Sequence, residues 1–197
     1  METLTRKAFY NQYMPGCMEH YLVHIMRGHP DFIPQLDLVA EMDGQIVGNI
    51  MYTKAKLVAE DGQEKEILTF GPLCVDPDHQ RQGIGKALMA KSFACAKEMG
   101  YDVIVIFGSP ANYVTSGFVS CKKHNICLEN GKFPAAMLVK TLTSAPLDGR
   151  KWFYYDSPVM AVSTSDALAY DDTLPPMERK VLPSQEEFFI MSHSFVE

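Results

Sequence analysis

The sequence predicts an α/β protein in which a mixed, mostly antiparallel central sheet carries helices on both faces, followed by a C-terminal α/β extension. The β-rich runs between residues 36 and 76 are separated by Asp43-Gly44 and Asp61-Gly62, and Asp-Gly pairs favour hairpin turns. A helix-patterned segment then leads from Gly83 to Met99 into "DVIVIFG", a continuous apolar run typical of a strand covered on both faces. Because that helix connects two strands, we expect one parallel pair.

The remaining helices and strands are predicted from residues that typically begin or end such elements. A helix capped by Thr3 or Thr5 is interrupted at Pro15-Gly16, and "CMEHYLVHIMRG" predicts a second helix. Beyond the buried strand, "SPANYVTSGF" predicts a short helix that begins at Pro110 and ends before Gly117, and "FPAAMLVKTL" predicts another strand.

After residue 143 the helix and strand patterns of the sequence become less regular. We therefore expect one domain over residues 1–143 and an extension, residues 144–197, that packs on the same domain because it is too rich in aromatic residues for a disordered tail. Within the extension, Ser184 and Glu187 have the spacing of a capping box.

Composition narrows the function classes. The 197 residues carry a net charge of −6, and no lysine/arginine cluster alternates with aromatic residues, which argues against a nucleic-acid partner and weakly favours a cationic substrate. No apolar run approaches the ~20 residues of a membrane span, and the N-terminus lacks a signal-peptide pattern, so a cytoplasmic location is expected. The five scattered cysteines contain no CxxC, which argues against a disulfide scaffold or structural zinc.

The most informative stretch is "LCVDPDHQRQGIGKALMAKSFACAKEMG", in which a strand passes through a glycine-containing turn into a helix. Free N–H groups and the helix dipole make such a junction an anion cradle, and a diphosphate is its natural occupant. The P-loop is excluded because Ala87 follows Gly85-Lys86, and the GxGxxG dinucleotide pattern is absent. The alternative is that the glycines only make the start of the helix more flexible and that no ligand binds there.

The same residues resemble motif A of the GNAT superfamily of acetyl-CoA-dependent N-acetyltransferases, with Gln80, Gly83 and Gly85 in the Gln/Arg-x-x-Gly-x-Gly/Ala signature. "ANYVTSGF" resembles the family's Tyr-x-x-x-Gly-Phe element, with Tyr113 four residues before Gly117. The resemblance covers residues 14–143. "GSPANYVTSGF" and "KWFYYDSP" are most similar to the YhbS-like branch of predicted acetyltransferases.

The resemblance implies acetyl-CoA as cosubstrate, no metal, and an amine acceptor. Main-chain groups of Leu73, Cys74 and Val75 would pair with the pantetheine arm, and a backbone N–H near Leu73 or Cys74 would steady the oxyanion. Tyr113 would be the general acid for the departing thiolate. The pyrophosphate would lie on the signature Gln80 and the loop that follows it: Arg81, Gln82, Gly83, Ile84, Gly85 and Lys86.

The general base is open. Some family members carry a glutamate four residues before the residue matched by Leu73, but this chain has Thr69 there. Glu41, at the end of a strand, and Glu19 and His20, beside the turn near the expected substrate entrance, are weak candidates. A water chain, or an amine that arrives neutral, would remove the need for any of them.

Two other chemistries are less favoured. Cys17, His20 and His24 share one helical face, but without a carboxylate there a polar stripe is favoured over a metal site. Cys74 has no adjacent histidine to activate it as an acyl carrier, so direct transfer from acetyl-CoA to the amine is preferred.

One feature departs from the family pattern. Residues 1–9 leave almost no room for the strand that usually precedes the first helix. Either the sheet lacks that edge strand, or the exposed edge is covered by the extension or by a second subunit in a homodimer.

The predicted function is acetyl transfer to a primary amine of a small molecule or peptide. The alternative is a non-catalytic acyl-CoA-binding regulatory module.

Overall fold

The computed structural model describes residues 1–144 and 146–197. Its helices are α1 (Glu2–Phe9), α2 (Glu19–Met26), α3 (Ile84–Glu98), α4 (Pro110–Tyr113), α5 (Thr164–Asp171) and α6 (Pro183–Ser192). Its strands are β1 (Leu38–Met42), β2 (Gln45–Ala59), β3 (Glu64–Val75), β4 (Val103–Phe107), β5 (Val119–Ser120), β6 (Ile126–Cys127), β7 (Met137–Thr141) and β8 (Trp152–Tyr155).

The eight strands form one mixed sheet in the order β5-β7-β4-β3-β2-β8-β6, with β1 also paired to β2. The strands β1, β2 and β3 are an antiparallel meander, and the Asp43-Gly44 turn has positive φ at both residues, as the tightest hairpin turn requires. The helix α3 crosses over to β4, which pairs parallel to β3. The predicted fold class is therefore confirmed.

Two apolar cores lie on opposite faces of the sheet. Alternate residues of β2 supply both cores: Ile50 and Tyr52 pack under α3, whereas Ala55 and Leu57 face the other side. A smaller cluster on that second side joins Met51 to the buried stripe of α2. The sheet is thus covered on both faces, which fixes the strands that carry the site.

The N-terminal region contains two helices and, in the described residues before Leu38, no strand. The edge of β2 is instead covered in two places, because β1 pairs with its first part and β8 with Lys56–Ala59. The extension therefore contributes a strand to the central sheet. The division of the chain at residue 143 stays a prediction.

The capping box predicted in the extension is wrong. The helix α6 begins at Pro183 with Leu182 as its N-cap, and no side chain caps its first turn. Proline suits this first position because its fixed φ is helical and its missing N–H would have had no partner. Within the described part of the chain, no helix has the length and apolar character that crossing a bilayer demands.

Candidate active site

The main cleft opens where β3 and β4 diverge. The two strands have one registered pair, Leu68 with Ile104, and beyond it the edge of β3 runs free toward Val75. A cavity of about 490 Å³ occupies this gap and is bounded on its far side by Tyr113. A parallel sheet that separates at the carboxyl ends of its strands is a common place for a ligand.

A bulge in β3 shapes the cleft. Ile50 pairs with Leu73 and Tyr52 pairs with Phe70, so two β3 residues lie opposite one residue of β2. Such a bulge bends a strand and changes which face its later side chains point to. As a result Leu73 packs toward α3, whereas the Cys74 thiol lies 3.5 Å from the Thr5 hydroxyl on the other face.

The glycine turn forms the floor of the cleft at the start of α3. Gly83 is the N-cap residue with φ +88°, a conformation that glycine adopts without strain. The first turn of α3 contains no acidic residue, so its free N–H groups and the helix dipole favour an anion. A side chain on Gly48 would press on Leu88 and Ile84, so a glycine there lets α3 lie close to β2.

The structure brings most of the predicted cofactor residues together. Cys74 and Gln82 do not line the cavity: Cys74 is buried on the opposite side of β3, and Gln82 is exposed. Eight of the ten do line it: Leu73, Val75, Gln80, Arg81, Gly83, Ile84, Gly85 and Lys86. Their role toward coenzyme A stays a prediction.

Tyr113 packs against two aromatic rings, and the absence of a side chain at Gly108 leaves room for its ring. Its ring lies 5.9 Å from that of Phe70 and 5.7 Å from that of Phe118. A Cβ at Gly108 would come within 2.5 Å of the Tyr113 ring, so only glycine permits this position. Burial raises the pKa of Tyr113, with a further contribution from Tyr13, so the hydroxyl keeps its proton at neutral pH.

The three candidate bases lie in different environments. Glu41 is exposed on β1 and does not line the cavity. Glu19 accepts hydrogen bonds from the Met18 N–H at 3.1 Å and the Cys17 thiol at 3.2 Å, and burial raises its pKa. Burial, and to a smaller extent Glu19, raises the pKa of Tyr13, a residue that was not among the candidates from the sequence. Neither Glu19 nor Tyr13 lines the cavity.

The expectation that His20 lies beside the substrate entrance is wrong. His20 is fully buried, and its Nε2 lies 3.2 Å from Asp171 Oδ1 without the geometry of a hydrogen bond. Burial lowers the pKa of His20, so the ring is neutral at pH 7. Cys17, His20 and His24 also have separate partners, since His24 approaches Glu2 instead.

Asp171 belongs to a buried ionic cluster that joins α1 to α5. Arg6 Nε donates to Asp171 Oδ1 at 2.7 Å, and Arg179 donates to its other oxygen at 3.2 Å. Burial alone would raise the pKa of Asp171, but the bonds from the two arginines outweigh it and lower the pKa. This ionic cluster, the clamp, fixes α1 against α5, and no local sequence pattern predicts it.

Several known proteins are similar to this chain. A family model described as an acetyltransferase (GNAT) domain matches residues 36–120. The uncharacterized N-acetyltransferase YhbS of Escherichia coli K12 is 29% identical over 150 residues, which cover 76% of this chain and 84% of that protein. YjhQ of the same organism, also an uncharacterized N-acetyltransferase, is 33% identical over 89 residues, 45% of this chain and 48% of its own length.

Solved structures agree. The structure of Escherichia coli YhbS in complex with CoA superimposes with a TM-score of 0.69 and 25% identity, covering 82% of this chain and 84% of the other. A GNAT acetyltransferase from Brucella melitensis, in complex with acetyl-CoA, shares the fold with a TM-score of 0.56 and 22% identity over 81% and 88% of the two chains. With the two motifs in their expected places around the cleft, the chain is thus similar to GNAT acetyltransferases in its fold and over the residues that the family model matches.

Proposed function

We propose that this acetyltransferase binds acetyl-CoA in the cleft between β3 and β4 and transfers the acetyl group directly to a primary amine. The observation that carries the proposal is the free β3 edge from Leu73 to Val75, which ends at the unpaired N–H groups of α3. An extended pantetheine arm can pair with such an edge like an added strand, and the diphosphate suits the helix start. Arg81 and Lys86 supply positive charge on the same wall.

The chemistry follows from what the wall residues offer. The amine nitrogen forms a bond to the thioester carbon, and a β3 backbone N–H at Leu73 or Cys74 stabilises the negative charge on the carbonyl oxygen. The C–S bond then breaks, and the sulfur takes the proton that the nitrogen loses. Because the pKa of Tyr113 is raised, its hydroxyl serves best as a hydrogen-bond donor to the departing thiolate.

Direct attack is favoured over an acylated cysteine. The Cys74 thiol points to Thr5, away from the cavity, and burial raises its pKa. A thiol with a raised pKa is a poor nucleophile at neutral pH because the thiolate is scarce.

Thermal unfolding with and without acetyl-CoA tests the binding step. At about 100 times the dissociation constant, mass action predicts ~2.7 kcal/mol of stabilisation, a shift of several degrees. The Gly83→Val/Gly85→Val variant should lose that shift, and an unmoved wild-type midpoint would contradict the proposal.

Turnover separates the enzyme from the alternative, a non-catalytic acyl-CoA-binding module. Thiol release is followed with n-butylamine, glycinamide and N-acetyl-lysine amide, which represent small amines and peptide lysines. Binding of acetyl-CoA without thiol release from any of them would favour the binding module. The net charge of −6 weakly favours cationic acceptors among those that react.

A further inference from the structure

A polar band crosses the sheet face opposite α3, between two apolar clusters. Thr53 and Thr69 are direct partners in the β2–β3 ladder, so their side chains lie on the same face. Met51 on one side of the band packs with α2, and Ala55 on the other packs in the second core. Thr69 follows Leu68, the residue paired to β4, and therefore lies next to the point where β3 and β4 begin to diverge.

Tyr154 extends this band from β8. It pairs with Leu57, two alternate positions along β2 from Thr53, and so points to the same face. Its ring lies 5.8 Å from that of Phe107, the last residue of β4, which places it beside both diverging strands.

Two hydroxyls of the band have no completed hydrogen bond. Tyr154 is 5% exposed, and its Oη approaches Thr69 and Asp156 without good hydrogen-bond geometry to either. Thr53 Oγ1 is likewise buried without a partner. Because buried polar atoms are nearly always paired, these two indicate that water or a polar group of a substrate completes them.

Asp156 ends the band and connects it to solvent. Its Oδ1 accepts the Ser157 N–H at 2.8 Å, and the residue lines a second cavity of about 420 Å³. The residue is exposed at the rim of this cavity, and partial desolvation by its neighbours raises the pKa of its carboxyl to about 6 against the hydrogen bonds it accepts. A base that titrates near neutral pH suits proton transfer.

Other charged groups face the same cavity and mostly have partners. Lys54 and Glu66 are 3.2 Å apart, and Lys56 and Glu64 are 2.7 Å apart. Asp31 accepts from the Ser157 hydroxyl at 2.8 Å. Within the described residues, Asp156 is the carboxylate of this cavity that Tyr154 approaches.

We propose that Asp156, acting through the Tyr154 and Thr69 hydroxyls and bridging water, accepts the proton of the amine substrate in place of the glutamate that some family members carry at position 69. This inference rests on the proposed function. The ammonium gives one proton to the Asp156 carboxylate, and the neutral amine attacks the thioester carbon. The C–S bond breaks, the second proton reaches sulfur, and protonated Asp156 releases its proton into the 420 Å³ cavity.

The test compares Asp156→Asn with Asp148→Asn, an exposed carboxylate of the same extension that binds Arg150. The measurement is kcat/KM against pH with n-butylamine, glycinamide and N-acetyl-lysine amide at saturating acetyl-CoA. Asp156→Asn should lose about 100-fold at pH 7, together with the acid limb of the profile near pH 6, while keeping the acetyl-CoA-induced thermal shift. Asp148→Asn should retain the wild-type profile.

Rescue distinguishes a chemical role from a structural one. The double variant Asp156→Asn/Thr69→Glu should recover at least ~10-fold of the lost kcat/KM, because it places a carboxylate at position 69. An Asp156→Asn profile like that of the wild type would overturn the inference, as would a uniformly lower profile without rescue. A wild-type protein that binds acetyl-CoA but releases no thiol would overturn the proposed function, and this inference with it.

Discussion

Two groups of residues that we assign to the reaction are held in place in different ways. The cofactor side consists of consecutive residues, because β3, the glycine turn, α3 and Tyr113 all lie between residues 64 and 113. The residues that we propose to take up the proton of the amine come instead from distant segments: Thr69 from β3, and Tyr154 and Asp156 from the extension. Local geometry therefore maintains the cofactor side, whereas long-range contacts maintain the other group. Substitutions in the two groups of residues should therefore damage different properties of the protein, namely stability, turnover or acetyl-CoA binding.

The largest expected effect is on the clamp, whose long-range contact holds α1 against α5. Arg6→Ala leaves Asp171 buried without its 2.7 Å partner and should cost about 3–5 kcal/mol in the free energy of unfolding, measured in urea. Lys7→Ala is the matched control, since Lys7 is the next residue and binds Asp76 and Asp78 at the surface. It should leave the free energy of unfolding nearly unchanged, because an exposed ion pair contributes little. Equal losses for both variants would contradict a special role for the clamp.

Next in size is the loss of the Tyr113 hydroxyl. Tyr113→Phe should lower kcat about 100-fold, or ~2.7 kcal/mol, with little change in KM for acetyl-CoA, because the hydroxyl acts on the departing sulfur. Tyr101→Phe removes a surface hydroxyl that donates to Glu66 and should leave kcat unchanged. If Tyr113→Phe kept more than half of the wild-type kcat, the assigned role would be wrong.

A smaller effect is expected at the glycine turn. Gly83→Ala places a side chain at φ +88° and should cost about 1–2 kcal/mol in stability, while also weakening acetyl-CoA binding by calorimetry. Gly62→Ala has nearly the same strain, with φ +85° and open space around it, but lies in the β2–β3 turn. It should reduce stability alone. A matching drop in affinity for Gly62→Ala would argue against the cradle.

The smallest effect concerns pH. Burial lowers the pKa of His20, so below pH 6.5 the unfolded chain binds a proton that the folded chain excludes, and stability falls as the pH falls. Asp156, whose pKa is raised, changes stability in the opposite direction. His20→Gln should therefore show a smaller loss of stability than the wild type between pH 6.5 and 5.5, measured by urea unfolding. Parallel pH curves would show that His20 does not contribute.

The same contrast explains what could be predicted from the sequence. The Asp43-Gly44 hairpin, the helix after Gly83 and the short helix before Gly117 depend on neighbouring residues, and the structure has all three. The cavity-lining residues of the glycine turn could be predicted for the same reason.

Other features depend on residues that are far apart in the chain. Arg6 and Asp171 are 165 positions apart, and the pairing of β8 with β2 brings Tyr154 toward Thr69. No local pattern predicts such pairings, because a short strand with the sequence of β8 could pair with more than one edge of the sheet. The full burial of His20 beside Asp171 depends on the same long-range packing.

The clamp also sets an order of events during synthesis. Residues 38–113 leave the ribosome before Asp171, so a nascent chain has the elements of the cofactor cleft while Arg6 still lacks its carboxylate partner. Because a buried guanidinium without a partner is costly, α1 gains a stable position only after α5 has been made. The strands and the helix that form the main cleft are thus synthesised before the contact that fixes α1 can form.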